Sequence, residues 1–122
     1  MSFFIDYFNI ISEKIKDVDL DMLNQTVQMI ASTSQNGGKT IIIGNGGSAA
    51  IASHISVDLT KNANIRAVNF NEPDLITCFS NDYGYERWVE KAIEFYADSR
   101  DLAILISSFA TSFLFIFYFP LF

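Results

Sequence analysis

With 122 residues the chain is long enough for one domain with a true core and too short for two ordinary ones. Half of its residues are apolar and only 18% are charged, which excludes the disordered class. A net charge of -6 with only eight Lys and Arg excludes a large electrostatic footprint for nucleic acid, yet leaves room for a small anion held by backbone N–H groups.

The N-terminal run MSFFIDYFNIISEKIK is broken at Asp6 and has no basic segment ahead of it, so it does not read as a secretory signal. From Asp19 onward, Leu20, Leu23, Val27, Ile30 and Ala31 recur at three- and four-residue spacing. That stripe predicts a helix to about Gln35, stopped by Asn36, Gly37 and Gly38. Ile41, Ile42 and Ile43, β-branched and bounded by glycines, predict a buried strand of a parallel sheet. Residues 44–48 leave that strand as a loop, and Ser48 reads as the N-cap of a helix ending near Asn62.

Residues 65–70 (IRAVNF) predict a second strand, Asn71, Glu72 and Pro73 a turn, and Asp74 the cap of a short helix through Phe79. Cys78, the single cysteine, rules out an internal disulfide, fits a reducing compartment and reads as a small buried side chain. Asn81, Asp82, Tyr83 and Gly84 read as another loop. Trp88, Val89, Ala92, Ile93 and Tyr96 share one face of a helix over about 85–97, with Trp88 as a core anchor. After Asp101, residues 102–107 (LAILIS) predict a third buried strand. Strands alternating with helices predict an α/β fold, a three-layer sandwich around a parallel sheet of the flavodoxin-like or Rossmann-like kind. Ligands of such sheets bind at the carboxyl ends of the strands.

The strongest chemical signal is Gly44, Asn45, Gly46, Gly47 and Ser48 between a strand and a helix. Glycines admit an anion close to the backbone, the helix N-terminus offers unpaired N–H groups, and the Ser48 hydroxyl can donate too, so the turn reads as a phosphate site. Gly44, Gly46 and Ala49 also satisfy the dinucleotide pattern G-x-G-x-x-A, but Asn69 and Asn71 stand where that pattern needs an acidic residue, with Glu72 just beyond. Dinucleotide binding is therefore the alternative. His54 and Asp58, four residues apart on the predicted helix, share a face that would suit one metal ion, one shared proton or an ordinary surface pair.

Three stretches, IIIGNGGSAAIASHISVDL, NFNEPDLITCFSNDYGYERWVEKAI and DLAILISS, together resemble the SIS-domain phosphoheptose isomerases (sedoheptulose 7-phosphate isomerases) over about residues 1–108. The resemblance implies a cytoplasmic, tetrameric enzyme that interconverts ketose and aldose phosphates on the way to heptose for lipopolysaccharide or related glycans. It further implies that Asn45, Gly46, Gly47 and Ser48 hold the phosphate, that Asp82 belongs to the sugar site, and that Ser107 and Ser108 begin a second phosphate loop. His54 falls where the family has a zinc-ligating His, and Asp58 where it has a catalytic, metal-binding Glu. Asp is one methylene shorter, so its carboxylate sits about 1 Å or more from the place a Glu would reach, a displacement that can cost ~10²-fold in rate.

The sequence departs from that family near its end. His54 is the only histidine, so the second His of the family's metal and acid/base set is absent. Phe109, Ala110 and Thr111 replace an expected Ser, Gly and Asn, although Ser112 agrees. Isomerisation through an enediol usually needs two positioned acid/base groups, so little or no isomerase activity is expected of this polypeptide alone, with a non-catalytic sugar-phosphate-binding module as the alternative. Six of the last fourteen residues are Phe, with neither alternation nor a helical stripe. Residues 1–108 thus read as the N-terminal part of a SIS domain and 109–122 as an aberrant tail, such as a shifted reading frame would produce. Residues 102–122 carry no charge and reach the ~20 apolar residues of a membrane span, but an anchor there would begin inside the predicted third strand, and no Lys or Arg follows it.

Overall fold

The computed structural model describes residues 2–107 and the backbone of residues 114–118. Its centre is strand β1 (Thr40–Gly44), flanked on one side by β2 (Ala67–Val68) and on the other by β3 (Leu102–Ile106), both parallel to it. The outer strand β4 (Leu114–Tyr118) pairs antiparallel with β3. Helices α1 (Phe3–Lys16) and α2 (Leu20–Gln35) precede β1, α3 (Gly47–Asn62) joins β1 to β2, and α4 (Pro73–Tyr83) and α5 (Trp88–Tyr96) lead to β3. The chain therefore leaves β1 for one neighbour and comes back on its other side. The carboxyl end of β1 lies at the reversal of strand order, where open α/β sheets place their ligands.

Successive β1 side chains point to opposite faces, and the three isoleucines use this to hold two helical layers. Ile41 and Ile43 pack with Phe70, Trp88 and Ala92, joined by Leu75, Ile76 and Ile93 from α4 and α5. On the other face Ile42 packs with Ala52, Leu102 and Ile104, joined by Met29 and Ile30 of α2 and Ile55 and Leu59 of α3. Full burial of each isoleucine stabilises by about 1.5–3 kcal/mol, and side chains this apolar on both faces leave no solvated side to the strand. The three-layer α/β architecture is the one the alternating elements predicted.

A buried ion pair ties the amino ends of β1 and β3. Asp101 Oδ1 accepts from Lys39 N–H at 2.8 Å and Oδ2 from Asp98 N–H at 2.8 Å. The Lys39 ammonium also bonds Asp101 Oδ2 and reaches Asp98 at 3.1 Å. In addition, Leu102 N–H donates to Lys39 O at 3.0 Å.

Several boundaries differ from the sequence reading. The second strand shrinks to two residues: after Val68 the chain turns, Asn71 N–H donating to Asn69 Oδ1 at 3.1 Å, and the side-chain amides reach α3, Asn69 to Ser56 Oγ at 2.9 Å and Asn71 to Ala49 O at 2.8 Å and Ser53 Oγ at 2.7 Å. Glu72, not Asp74, is the N-cap of α4, with Pro73 at the first helical position. That helix runs through Asn81 and Asp82, which composition assigned to a loop, until Gly84 at φ 91 ends it. Helix α5 starts at Trp88, after a turn in which Arg87 N–H donates to Gly84 O at 3.0 Å. Cys78 is exposed on α4 rather than buried, its sulfur 3.7 Å from Asp82 Oδ2.

The N-terminal apolar run, to which the periodicity gave no element, is helix α1 with none of its residues buried: Phe3 is 73% and Phe8 61% exposed. Leu20, Leu23 and Val27 on α2 are exposed too, since only the far half of that helix lies on the sheet. A 14-residue helix without packing partners is marginal in water, and none of α1 is buried among the described residues. Among the described residues, no helix is long and apolar enough to cross a membrane. Leu102–Ile106, where the anchor considered for residues 102–122 would begin, is a strand held between β1 and β4.

Candidate functional site

The turn after β1 is shaped by two glycines. At Gly44 the chain bends back so closely that a Cβ would lie 2.4 Å from the carbonyl carbon and oxygen of Ser48. At Gly46 the backbone takes φ 56 and ψ -122, a conformation that side-chain-bearing residues rarely reach. Ser48 N–H donates to Asn45 O at 3.1 Å and Ala49 N–H to Gly46 O at 3.1 Å. The amides of Gly46 and Gly47 have no backbone partner among the described residues and stand at the positive end of the α3 dipole.

Beside this turn opens a cleft of about 400 Å³ whose lining includes Asn45, Gly46, Ser53, Asn71, Tyr85 and Trp88. Its floor is rigid. Trp88 is 6% exposed and belongs to the core, so it serves as the anchor the sequence predicted and as a wall of the cleft. Asn71 fixes one side through its two bonds to α3. On the other side Tyr85 Oη donates to Asn45 Oδ1 at 3.2 Å, linking segments 40 residues apart.

The residues singled out from sequence fall in three groups. Asn45 and Gly46 line the cleft, while Gly47 and Ser48 lie on the same turn outside its lining. Ser48 is the second residue of α3 and not its N-cap, a place taken by Gly46, so the Ser48 hydroxyl makes no capping bond. Ser107 follows Ile106, which is paired with Gly44, and so stands level with Asn45 at the carboxyl edge of the sheet. Ser108 lies outside the described residues.

Asp82, His54 and Asp58 are away from the cleft lining. Asp82 is exposed on α4, accepting from Asn81 Nδ2 at 3.0 Å; the extension of that helix through Tyr83 keeps it there. His54 Nε2 lies 3.4 Å from Asp58 Oδ2, and the two side chains are 80% and 51% exposed. His54 directly follows the cleft residue Ser53, so the 100° step of the helix turns it out to solvent. Asp58 Oδ1 also accepts from Asn62 at 3.1 Å. Two donors fall short of the three protein ligands of a catalytic zinc site, and no group of three potential His, Cys, Asp or Glu ligands exists among the described residues. The pair by itself does not fit a zinc centre.

Sequence reasoning missed Ser53, Asn71 and Tyr85 as cleft residues. Asn71 had drawn notice only as part of a turn and as a residue replacing an acidic one, and Tyr85 only as part of a predicted helix; nothing in their spacing revealed that they converge on the turn.

Residues 3–112 match the family described as the SIS domain. The chain belongs to that family. As a SIS domain it is 34% identical over 98 residues to a phosphoheptose isomerase of Helicobacter pylori, a match covering 75% of this chain and 51% of that protein. It is likewise 34% identical over 95 residues to a phosphoheptose isomerase of Syntrophotalea carbinolica, covering 73% and 48%. The structure of phosphoheptose isomerase GmhA from Neisseria gonorrhoeae superposes with a TM-score of 0.74 at 27% identity, covering 85% of this chain and 56% of that one. This SIS domain thus resembles phosphoheptose isomerases in sequence and in fold, and spans about half the length of the curated relatives it matches.

Proposed function

We propose that this SIS domain binds a phosphorylated sugar of the sedoheptulose 7-phosphate kind, with the phosphate against the turn after β1. The observation that carries the reading is the pair of amides at Gly46 and Gly47, without a hydrogen-bond partner among the described residues and set at the N-terminus of α3 and at the reversal of strand order. In this reading the Ser48 hydroxyl and the Asn45 amide add donors, Ser107 and Ser108 approach the ligand from the end of β3, and Asp82 meets sugar hydroxyls. The setting is a reducing cytoplasm and heptose synthesis for lipopolysaccharide or a related glycan. The bare apolar surface of α1 supports a homo-oligomer, and the family resemblance favours a tetramer.

Zinc enters only through His54 and Asp58. They supply two donors, so the remaining ligands of such a site have to come from beyond the described residues. By the resemblance, Asp58 would take a carbon-bound proton and His54 would move a hydroxyl proton in a complete site that brought them to the ligand. Because both face solvent on this chain, the expected result is little or no turnover of sedoheptulose 7-phosphate by the pure chain in a coupled assay. Multiple turnover would restore the pair to catalysis.

Binding is tested by melting the protein with sedoheptulose 7-phosphate and, separately, with nicotinamide dinucleotide. Saturation to a hundred times Kd stabilises by about 2.7 kcal/mol, an increase of several degrees in Tm. The sugar phosphate should raise Tm and the dinucleotide should not; the opposite pattern would assign the turn to a dinucleotide.

A further inference from the structure

We infer that Tyr85 is a positioning residue for the anionic end of the ligand, acting through Asn45. The inference rests on the sugar-phosphate reading and deepens it. An asparagine side chain carries an acceptor oxygen and a two-proton donor on opposite sides of one planar amide, so fixing the oxygen fixes the direction of the N–H groups. Here the oxygen is taken by Tyr85 Oη at 3.2 Å. The Asn45 Nδ2 group makes no hydrogen bond among the described residues and is left as a donor at the same turn as the free Gly46 and Gly47 amides. An anion needs donors only, so an amide rotated the other way would present its oxygen and repel the ligand.

Tyr85 is itself held in place from both sides. Gly84, at φ 91, reverses the chain after α4. Three residues on, Trp88 is locked in the core at 6% exposure. The short turn between them, closed by the Arg87 N–H bond to Gly84 O, presents the Tyr85 hydroxyl to Asn45 from a fixed base. Tyr85 as a whole remains 57% exposed, so its contribution to the core is small. A well-buried structural tyrosine would look different.

The test is a double-mutant cycle on the full chain, with Tyr85→Phe and Asn45→Ala, read by calorimetric titration with sedoheptulose 7-phosphate and with inorganic phosphate. Tyr85→Phe keeps the ring and removes only the hydroxyl. It should weaken both ligands about 5–10-fold, the worth of one hydrogen bond to a group that meets an anion, and leave the ligand-free Tm unchanged. In the Asn45→Ala background the same substitution should change affinity less than about twofold, because the group it orients is gone. Equal weakening in both backgrounds would make Tyr85 a direct ligand contact and overturn the positioning role, as would unchanged affinity in the single variant. A fall in the ligand-free Tm that accounts for the weaker binding would make its role structural. Wild-type protein that binds neither ligand would instead overturn the sugar-phosphate reading, and this inference with it.

Discussion

Replacing Gly44 with Ala should remove ligand binding and a substantial part of the stability in one step. The added Cβ would lie 2.4 Å from Ser48 C and O and 2.7 Å from Ala49 N, all of them main-chain atoms that no rotamer change can move aside. Relief requires α3 to shift away from β1. That helix carries Ala52, Ile55 and Leu59 into the core around Ile42, so the shift spreads into the packing. Overpacking of this kind costs about 1–3 kcal/mol and at times more, and the displaced turn no longer aims the Gly46 and Gly47 amides at one point. Gly47→Ala is the matched control: a Cβ there meets nothing within 4 Å, and Gly47 is not among the glycines with positive φ. Thermal melts of the two variants, followed by titration with sedoheptulose 7-phosphate, should show Gly44→Ala melting lower and binding at least tenfold more weakly, with Gly47→Ala melting like the parent. Equal melting temperatures for all three would mean that the strand-to-helix turn is not packed as described.

The contrast between these two glycines also explains what could be read in advance. Ile41, Ile42 and Ile43 announced a central strand because a run apolar on both faces has few other uses, and the glycines after it announced a turn open to an anion. Both inferences rest on local chemistry: the strand stands where it was read, and the glycines form a turn at the N-terminus of α3, while the anion remains part of the proposed function. The face of a helix on which a polar residue ends up is a finer matter. His54 and Asp58 do meet, as four-residue spacing requires, yet the same spacing cannot tell whether their shared face looks into the cleft or out to solvent. Tyr85 and Asn71 were hidden for the complementary reason. Their part in the cleft comes from α3, α4 and α5 being packed on one sheet, an arrangement in which residues 40 apart in sequence come within hydrogen-bonding distance. Asn81 and Asp82 misled because turn-forming residues also end helices, and here the helix continues to the positive-φ Gly84. The exposed face of α1 marks the remaining limit: amphipathic sequence shows that a surface is meant to be covered, without showing by what.

Asp101→Asn should be the most destabilising conservative substitution at the far end of the sheet. Each carboxylate oxygen of Asp101 accepts from a main-chain N–H, Oδ1 from Lys39 and Oδ2 from Asp98, and Oδ2 accepts from the Lys39 ammonium as well. An asparagine in either orientation points its own N–H groups at one of those donors. It also leaves the Lys39 ammonium, 12% exposed, with Asp98 as its one remaining charged partner in the pair, itself 75% exposed. Breaking a buried pair from one side costs about 3–5 kcal/mol, most of it the burden of the uncompensated charge. The same geometry fixes a pH dependence. Burial pushes the Asp101 carboxyl up, but the hydrogen bonds from Asp98 N–H, the Lys39 ammonium and Lys39 N–H, with the lysine charge, together hold it below the usual carboxylate range. A group whose folded pKa is depressed contributes its full stability above its unfolded value of about 4, and loses it as pH falls through the folded value. Lys39 mirrors this. Burial lowers its pKa, yet the bonds to Asp101 and Asp98 raise it beyond the usual lysine value, so its contribution persists until strongly alkaline pH. Urea unfolding followed from neutral pH to well below pH 4 should therefore show the parent losing stability faster than Asp101→Asn once the pH falls below about 4, the two curves converging in stronger acid. Parallel curves would mean that the carboxylate is not tied across the amino ends of β1 and β3.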